Sequence, residues 1–411
     1  METSKHHTFA FDYAIIGAGI IGLTIAHELK KKEPDSSIII FEKEKELGLH
    51  ASGRNSGVLH SGIYYNEDTL KAKFCHSGSL KMKDFALEHG IGYKASGKII
   101  VASEDRDIPI LNKLILNAKK NNINAELLTQ KEINKIEPHA HTCEYGIYSP
   151  STAVIDSKGV IKKLFEILKK QGVVFKFNSQ IKNYYKNSSF LLVGDKKYSY
   201  DFLFNAAGSY ADRVAQLFGI ANEYTMIPFK GIYYKLSNKA SHHVKSSIYP
   251  TPDINLPFLG VHLTRVFNND VYIGPTAIPA LGRENYKLLK GTSFSETSRI
   301  GLHLLKMFYS NNDNFRLLAV NELKKYLKPW FLDSVRRLVP KISKSDIIPT
   351  SKVGIRPQLV NINTMRIEMD FLLEETENSF HVLNSISPAF TSSFAIADWL
   401  VNDKLTKKLA L

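Results

Sequence analysis

The sequence predicts an α/β fold in which a Rossmann-like domain is interleaved with a mixed-sheet, α+β domain. Three observations predict it. The chain opens with a strand, a glycine-rich turn, a helix and a second strand. A second α/β passage follows residue 150. Several β-like runs lie between and after these two passages. At about 150 residues per domain, 411 residues allow two to three domains. No repeat and no low-complexity linker separates them. The domains are therefore expected to share the chain in segments: 1–93, 152–212 and 351–411 for the first, 94–151 and 213–350 for the second.

Each element has a local cause. Residues 11–16 (FDYAII) are short and nearly all apolar, as a strand covered on both faces must be. The helix after the glycine turn carries Ile20, Ile21, Leu23, Ile25, Ala26 and Leu29 on one packed face. Pro34 and Asp35 stop it near Lys32. Residues 37–41 (SIIIF) form a second buried strand that ends at Glu42. Further on, Asp156 or Ser157 caps a helix bearing Val160, Ile161, Leu164, Phe165 and Leu168. Gly172 ends that helix before the strand VVFKF (173–177). A hairpin at Gly194-Asp195 joins LLV to the strand DFLFNAAG (201–208). GKIIVAS (97–103), KGIYYKL (230–236), FLGVHLTR (258–265) and DVYIG (270–274) read as a sheet roofing a pocket. Residues 295–345 read as helical and basic. GIRPQ (354–358) through SPAFTSSFAIADWLV (387–401) reads as a loop leading into a helix that begins near Thr391.

Composition removes several classes of function. A 44% hydrophobic and 11% aromatic content excludes disorder as the main state. The two cysteines, Cys75 and Cys143, sit outside any CxxC, which excludes a disulfide scaffold and predicts a reducing, cytoplasmic setting. No stretch approaches about 18 uncharged apolar residues, so no spanning helix is expected. The first residues lack an apolar core with a cleavage site, so no signal peptide is expected either. A net charge of +14 leaves nucleic acid, an anionic membrane, small anions or a solvated lysine-rich face. The basic residues have no RNP-like or helix-turn-helix context, and no nucleic acid is expected. HxxxH, HExxH and Cys/His clusters with ligand spacing are absent, so no metal is expected. The nucleophile elbow and the P-loop are absent as well.

The chemistry begins at Gly17-Ala18-Gly19-Ile20-Ile21-Gly22, a GxGxxG between strand and helix. An acid, Glu42, follows 25 residues after Gly17 at the end of the second strand. That context is what dinucleotide binding requires. Gly17 permits the tight turn, Gly19 admits the pyrophosphate to the backbone, and Gly22 lets helix pack on strand. Ile20 opens a helix whose free N–H groups face the phosphates. Glu42 accepts from ribose hydroxyls and repels a 2′-phosphate, which favours FAD or NAD over NADP. Lys43 follows it. The polar loop HASGRNSGVLHSGIYY (50–65) then favours FAD, because Ser52, Asn55, Ser56, Gly57 and Val58 are small enough to lie along an extended cofactor.

With these residues in view, the chain resembles the FAD-dependent oxidoreductases of the D-amino-acid oxidase type. Within that group it is most similar to the L-2-hydroxyglutarate dehydrogenase/oxidase family. The resemblance runs from about residue 11 to residue 401 through GAGIIG, SGRNSGVLHSGIYY, LKAKFC, SGKIIVA, NAAG, PFKGIYY, PFLGVHLTR, IGPTA, GIRPQ and SPAFTSS. The family usually has His where Arg54 stands, Arg where Lys230 stands and Asn where Thr276 stands. The resemblance implies hydride loss from C2 of an L-2-hydroxy acid to flavin, with a quinone, another carrier or O2 taking the electrons. An amino acid, an amine or glycerol 3-phosphate is the alternative substrate. The resemblance also places Ile181 by the adenine, Ala206, Ala207 and Gly208 against the cofactor, and Gly354 and Arg356 by the flavin ring. Thr391, Ser392 and Ser393 then open a helix aimed at the flavin pyrimidine edge.

Hydride transfer from an alcohol needs a base of near-neutral pKa, which histidine supplies. His60, beside the FAD loop, is the first candidate and His262 the second. The other twelve histidines, including His6 and His7, are expected at the surface. A dicarboxylate substrate needs cations and hydroxyls. Tyr64, Tyr65, Lys230, Arg265, Arg283 and Arg356 are the candidates, with one of the adjacent tyrosines facing away if they lie on a strand. Cys75 is expected in the core. Residues 316–344 carry eight basic and two acidic residues with Trp330 and Phe331 among them, and are the candidate for peripheral membrane contact on the inner face.

Overall fold

The computed structural model describes residues 8–183, 189–253, 258–288, 290–325 and 328–409. His6, His7 and residues 326–327 of the basic stretch lie outside them. The opening unit forms as its pattern dictates, with strand Thr8–Ile16, helix Ile20–Lys32 and strand Ile38–Phe41. Ala14, Ile15 and Ile38 to Phe41 are almost wholly buried, because helices and loops cover both faces of this parallel pair. The helix ends on Lys30, Lys31 and Lys32, whose charges complement its C-terminal dipole.

Around this unit runs a seven-stranded sheet. Its order is Leu373–Thr376, Ser379–Val382, Lys196–Asn205, Thr8–Ile16, Ile38–Phe41 and Val174–Lys176, with Phe190–Val193 paired on Lys196–Asn205. The helix Ser157–Lys170 covers one face, and the Asp156 carboxylate caps it by accepting from Lys158 N–H at 3.1 Å.

The second body is a ten-stranded mixed sheet. It runs Arg366–Ile367, Ile347–Asn361, Tyr224–Leu236, Val271–Gly274, His262–Arg265, Ser247–Pro250, Lys98–Val101, Tyr145–Ser149 and Glu126–Thr129, with Ile278–Pro279 on Tyr224–Leu236. All four β-like runs named from sequence contribute to it, although the run at 258–265 becomes a strand only from His262. Among the described residues its one parallel pairing joins Lys98–Val101 to Ser247–Pro250.

Three local expectations are corrected. GIRPQ is not a loop but the middle of the strand Ile347–Asn361. Pro357 reads as a break, yet it faces Pro228 across the ladder, so two residues without a donor share one register position. The C-terminal passage therefore splits, 347–367 belonging to the ten-stranded sheet and 373–382 to the seven-stranded one. The last helix spans Ala389–Asp398, starting before Thr391. Trp330 and Phe331 do not act together: Trp330 is 51% exposed, whereas Phe331 is 3% exposed and packs 4.7 Å from the Tyr234 ring.

Candidate active site

A cavity of about 650 Å³ lies between the two sheets. At one end the glycine turn is pressed close. Gly17 has φ +106°, and a Cβ there would stand 2.4 Å from the Ala206 carbonyl oxygen. A Cβ on Gly22 would stand 2.0 Å from the Gly17 carbonyl oxygen, so only glycine lets this helix sit on its strand. Glu42 is held in place by accepting from Ala18 N–H and Glu44 N–H, both at 3.0 Å. Ile20 N–H donates to Ser52 Oγ at 3.0 Å, which ties the second loop to the helix start. Gly17, Gly19, Ile20, Glu42, Lys43, Ser52, Asn55, Ser56, Val58, Ile181, Ala206, Ala207, Gly208, Gly354 and Thr391 all line the cavity.

Four expected cofactor residues lie behind that wall. Gly22 acts through packing, as above. Gly57 has φ +72° and its carbonyl accepts from Ile155 N–H at 2.8 Å, fastening the loop to the neighbouring strand. Ser392 packs against Gly78, and the Ser393 carbonyl accepts from Thr24 Oγ1 at 3.2 Å. A helix turns 100° per residue, so with Thr391 on the cavity the next two residues face its supports.

At the other end stand His60 and Arg356. His60 is anchored by its backbone: its N–H donates to Thr391 Oγ1 at 3.2 Å and its carbonyl accepts from Cys75 Sγ at 3.4 Å. Its Nδ1 is buried without a partner. Burial, then the charges of Lys98, His262 and Arg356, push its pKa down to about 3. Arg356 lies 5.5 Å from the Phe258 ring centre and makes no ion pair among the described residues. Cys75 is wholly buried, and burial pushes its thiol up to about 12.

The remaining substrate candidates are placed elsewhere. His262 does not line the cavity; it stacks 3.8 Å from the Tyr249 ring, its Nδ1 3.0 Å from the Gly260 carbonyl. Tyr64 and Tyr65 lie in a turn rather than a strand, with Tyr65 N–H donating to the Gly62 carbonyl at 3.1 Å. Neither lines the cavity, and the Tyr64 ring faces Lys98. Lys230 Nζ is taken by Asn285 Oδ1 at 2.8 Å. Arg265 is spent on the backbone, donating to the carbonyls of Val244 (2.7 Å), Asn269 (2.8 Å) and Ser241. Arg283 reaches the wall but is 1% exposed and paired with Asp212 (Nη2 to Oδ2, 2.8 Å), so its charge is already neutralised.

Some site residues were missed in the sequence. His50, expected at the surface, lines the cavity with Nδ1 2.9 Å from Tyr286 Oη, and the Arg54 guanidinium stacks 4.2 Å from the same ring. His381, also expected outside, is fully buried between Asn205 and Ser379. Lys98 is the most telling miss. A lysine opening an apolar strand (KIIV) is the signal that could have found it, since an unpaired lysine is almost never fully buried. The fold also brings ligand atoms of His139, His242 and His243 within 4.8 Å, which sequence spacing did not offer. Lys341 and Lys245 lie close enough to His139 to oppose a cation there.

The narrow glycine turn, the ribose acid and the long cavity ending at a histidine and an arginine fit an extended FAD. The sequence profile described as FAD dependent oxidoreductase, DAO, matches residues 12–402. The chain belongs to this family. Among curated relatives of this FAD-dependent oxidoreductase, an L-2-hydroxyglutarate dehydrogenase of Indibacter alkaliphilus is 36% identical, over 94% of this chain and 96% of its own. One of Escherichia coli is 33% identical over 95% and 92%. Among solved structures, the L-α-glycerophosphate oxidase of Mycoplasma pneumoniae with FAD bound has a TM-score of 0.77 at 22% identity, covering 96% of this chain and 94% of that one. Glycine oxidase of Geobacillus kaustophilus has a TM-score of 0.69 at 16% identity, covering 97% and 95%. These likenesses support the fold assigned from sequence. In this family FAD is the cofactor, and no helix among the described residues is long and apolar enough to cross a membrane.

Proposed function

We propose that the protein oxidises L-2-hydroxyglutarate to 2-oxoglutarate and passes the electrons to a quinone or another carrier. The observation that carries this reading is the near full-length match to relatives named L-2-hydroxyglutarate dehydrogenase, at 31–36% identity. Bound FAD supplies the acceptor for the C2 hydride. The residues of the chain do the rest. His60 is the base, because it lines the cavity while His262 does not. Its imidazole is neutral at physiological pH and so free to take the hydroxyl proton. A pKa of about 3 would make it a weak base. Burial is the first cause of that depression, and a dianionic substrate offsets the Lys98 and Arg356 charges that add to it, which raises the basicity of His60 when it binds. Arg356, without a carboxylate of its own, takes the carboxylate next to C2.

The direct test is anaerobic mixing of the FAD-loaded protein with L-2-hydroxyglutarate while watching the flavin band. Bleaching is expected. Bleaching by glycerol 3-phosphate or a D-amino acid, with L-2-hydroxyglutarate inert, would overturn the substrate assignment.

A cytoplasmic enzyme that reduces a quinone must meet the membrane, and the surface supporting this is basic and apolar together. The helices Phe294–Ser310, Phe315–Lys324 and Lys328–Leu338 expose Phe294, Leu305, Leu317, Leu323 and Trp330, with Arg316 and Lys324 among them. Phe331, being buried, is not part of that surface. Sedimentation with anionic vesicles should show binding that weakens as salt rises. Equal recovery with neutral and anionic vesicles would remove the membrane assignment.

A further inference from the structure

Lys98 poses a problem that the cofactor site does not solve. Its side chain is 0% exposed, and its Nζ has no hydrogen-bond partner among the described residues. An unpaired buried ammonium is unfavourable enough that such groups usually lose their charge or serve a ligand. The ammonium stands 4.3 Å from the Tyr64 ring centre and 5.2 Å from that of Tyr249. Those contacts hold it in place but provide no acceptor.

The surroundings share the same deficit. Lys98, Ser247 and Thr264 are successive register partners across three strands, so their side chains share one face of the ten-stranded sheet. Ser247 Oγ is buried without a partner, as are Tyr64 Oη and His60 Nδ1, while Thr264 shares a hydrogen bond with the Tyr249 hydroxyl. Native interiors rarely leave such groups unpaired, and Lys98 lies near enough to His60, a cavity-lining residue, to act on its charge. The ionisable groups acting on His60 are Lys98, His262 and Arg356, all basic, with no acid among them. A basic cluster with idle polar groups and no acid, next to the cavity, suits an anion brought from outside.

We propose that this cluster beside His60 is a carboxylate subsite, with Lys98 binding the second carboxylate of a dicarboxylate while Arg356 holds the first. The proposal rests on the 2-hydroxyglutarate reading and deepens it, since it names the group that selects a dicarboxylate over a monocarboxylate. Burial pushes the Lys98 ammonium down to about 7. Near neutrality an incoming carboxylate draws the proton fully onto the amine.

The experiment measures binding of two unreactive probes, glutarate and butyrate, by perturbation of the oxidised flavin spectrum at pH 7. They differ by the terminal carboxylate. Wild type should bind glutarate about 10- to 100-fold tighter, the range of a charge-assisted hydrogen bond. In Lys98→Met that ratio should fall to within about three-fold. The variant should also keep its FAD and melt no lower than wild type without ligand, because it removes an unpaired buried charge. A ratio that persists in Lys98→Met, a wild type that shows none, or a variant that loses FAD or melts lower would each overturn the proposal. The last outcome would make Lys98 a structural group. Lys98→Arg, which keeps the charge, should keep part of the preference. Bleaching of wild type by L-2-hydroxyglutarate tests the parent reading separately. A probe ratio without bleaching overturns the oxidation, and bleaching with an unchanged ratio in Lys98→Met overturns the subsite.

Discussion

The two ends of the cavity are built on opposite principles. At the dinucleotide end the backbone does the recognising and the polar groups are satisfied: Glu42 accepts two backbone N–H groups, and Ser52 caps Ile20 N–H. At the substrate end side chains from strands far apart in sequence converge, and several are buried with nothing to bond. One end is finished before a ligand arrives, whereas the other is left incomplete in the way a charged ligand would complete. Rigidity is inexpensive where the ligand is a permanent cofactor. Unmet polarity is tolerable where it is the source of selectivity.

The sharpest way to break this comparison is at Gly22. Gly22→Val would place side-chain atoms against the Gly17 carbonyl, where even a Cβ comes to 2.0 Å. Overpacking of this kind costs about 1–3 kcal/mol. FAD content after gel filtration, read from the flavin-to-protein absorbance ratio, should fall to a small fraction of wild type. Full occupancy would mean that the turn is looser than its geometry.

His60→Gln probes the other end. Flavin reduction in stopped flow should slow by about 10²- to 10⁴-fold. Glutarate binding should change by only a few-fold. An unchanged rate would transfer the role of base to His262.

Asp212→Asn separates the wall from the chemistry. It leaves the Arg283 guanidinium buried with one partner fewer, and breaking such a pair costs roughly 3 kcal/mol. The melting temperature should drop by several degrees, while substrate selectivity holds. Lost selectivity with unchanged stability would restore Arg283 as a substrate ligand.

The smallest effect is on pH. His60 and His262 are both pushed down to about 3, first by burial. Folded, they stay neutral; unfolded, they take up protons below about pH 6.5. The unfolded chain then binds more protons, so stability falls as pH drops from about 6.5 toward 3. Between pH 7 and 5 the loss is about 2 kcal/mol per imidazole. His60→Gln should flatten its share of that slope in denaturant titrations. An identical slope would show that His60 is charged in the fold.

Legibility followed the same division. GAGIIG with Glu42 placed the cofactor site because strand, turn and helix are contiguous, and fifteen of the nineteen expected cofactor residues line the cavity. The four that do not are set by helix phase and loop backing, which spacing alone leaves open. Of the substrate candidates Tyr64, Tyr65, Lys230, Arg265 and Arg283, the fold employs Arg265 and Lys230 in fastening loops and neutralises Arg283. A cation in a sequence carries no sign of whether an acid, a carbonyl or nothing will meet it.

By itself the sequence determined the opening βαβ unit, the family and the cofactor, because these depend on residues within one turn or one strand of each other. It also placed His60 and Arg356, through the motifs around them. Only the tertiary structure decided that Lys98, Ser247 and Thr264 share a face, that GIRPQ is a strand, and that Phe331 is core. The meeting of Lys98 with Ser247 and of GIRPQ with the strand Tyr224–Leu236 depends on pairings between segments more than a hundred residues apart, and the burial of Phe331 depends on its helix packing against that sheet.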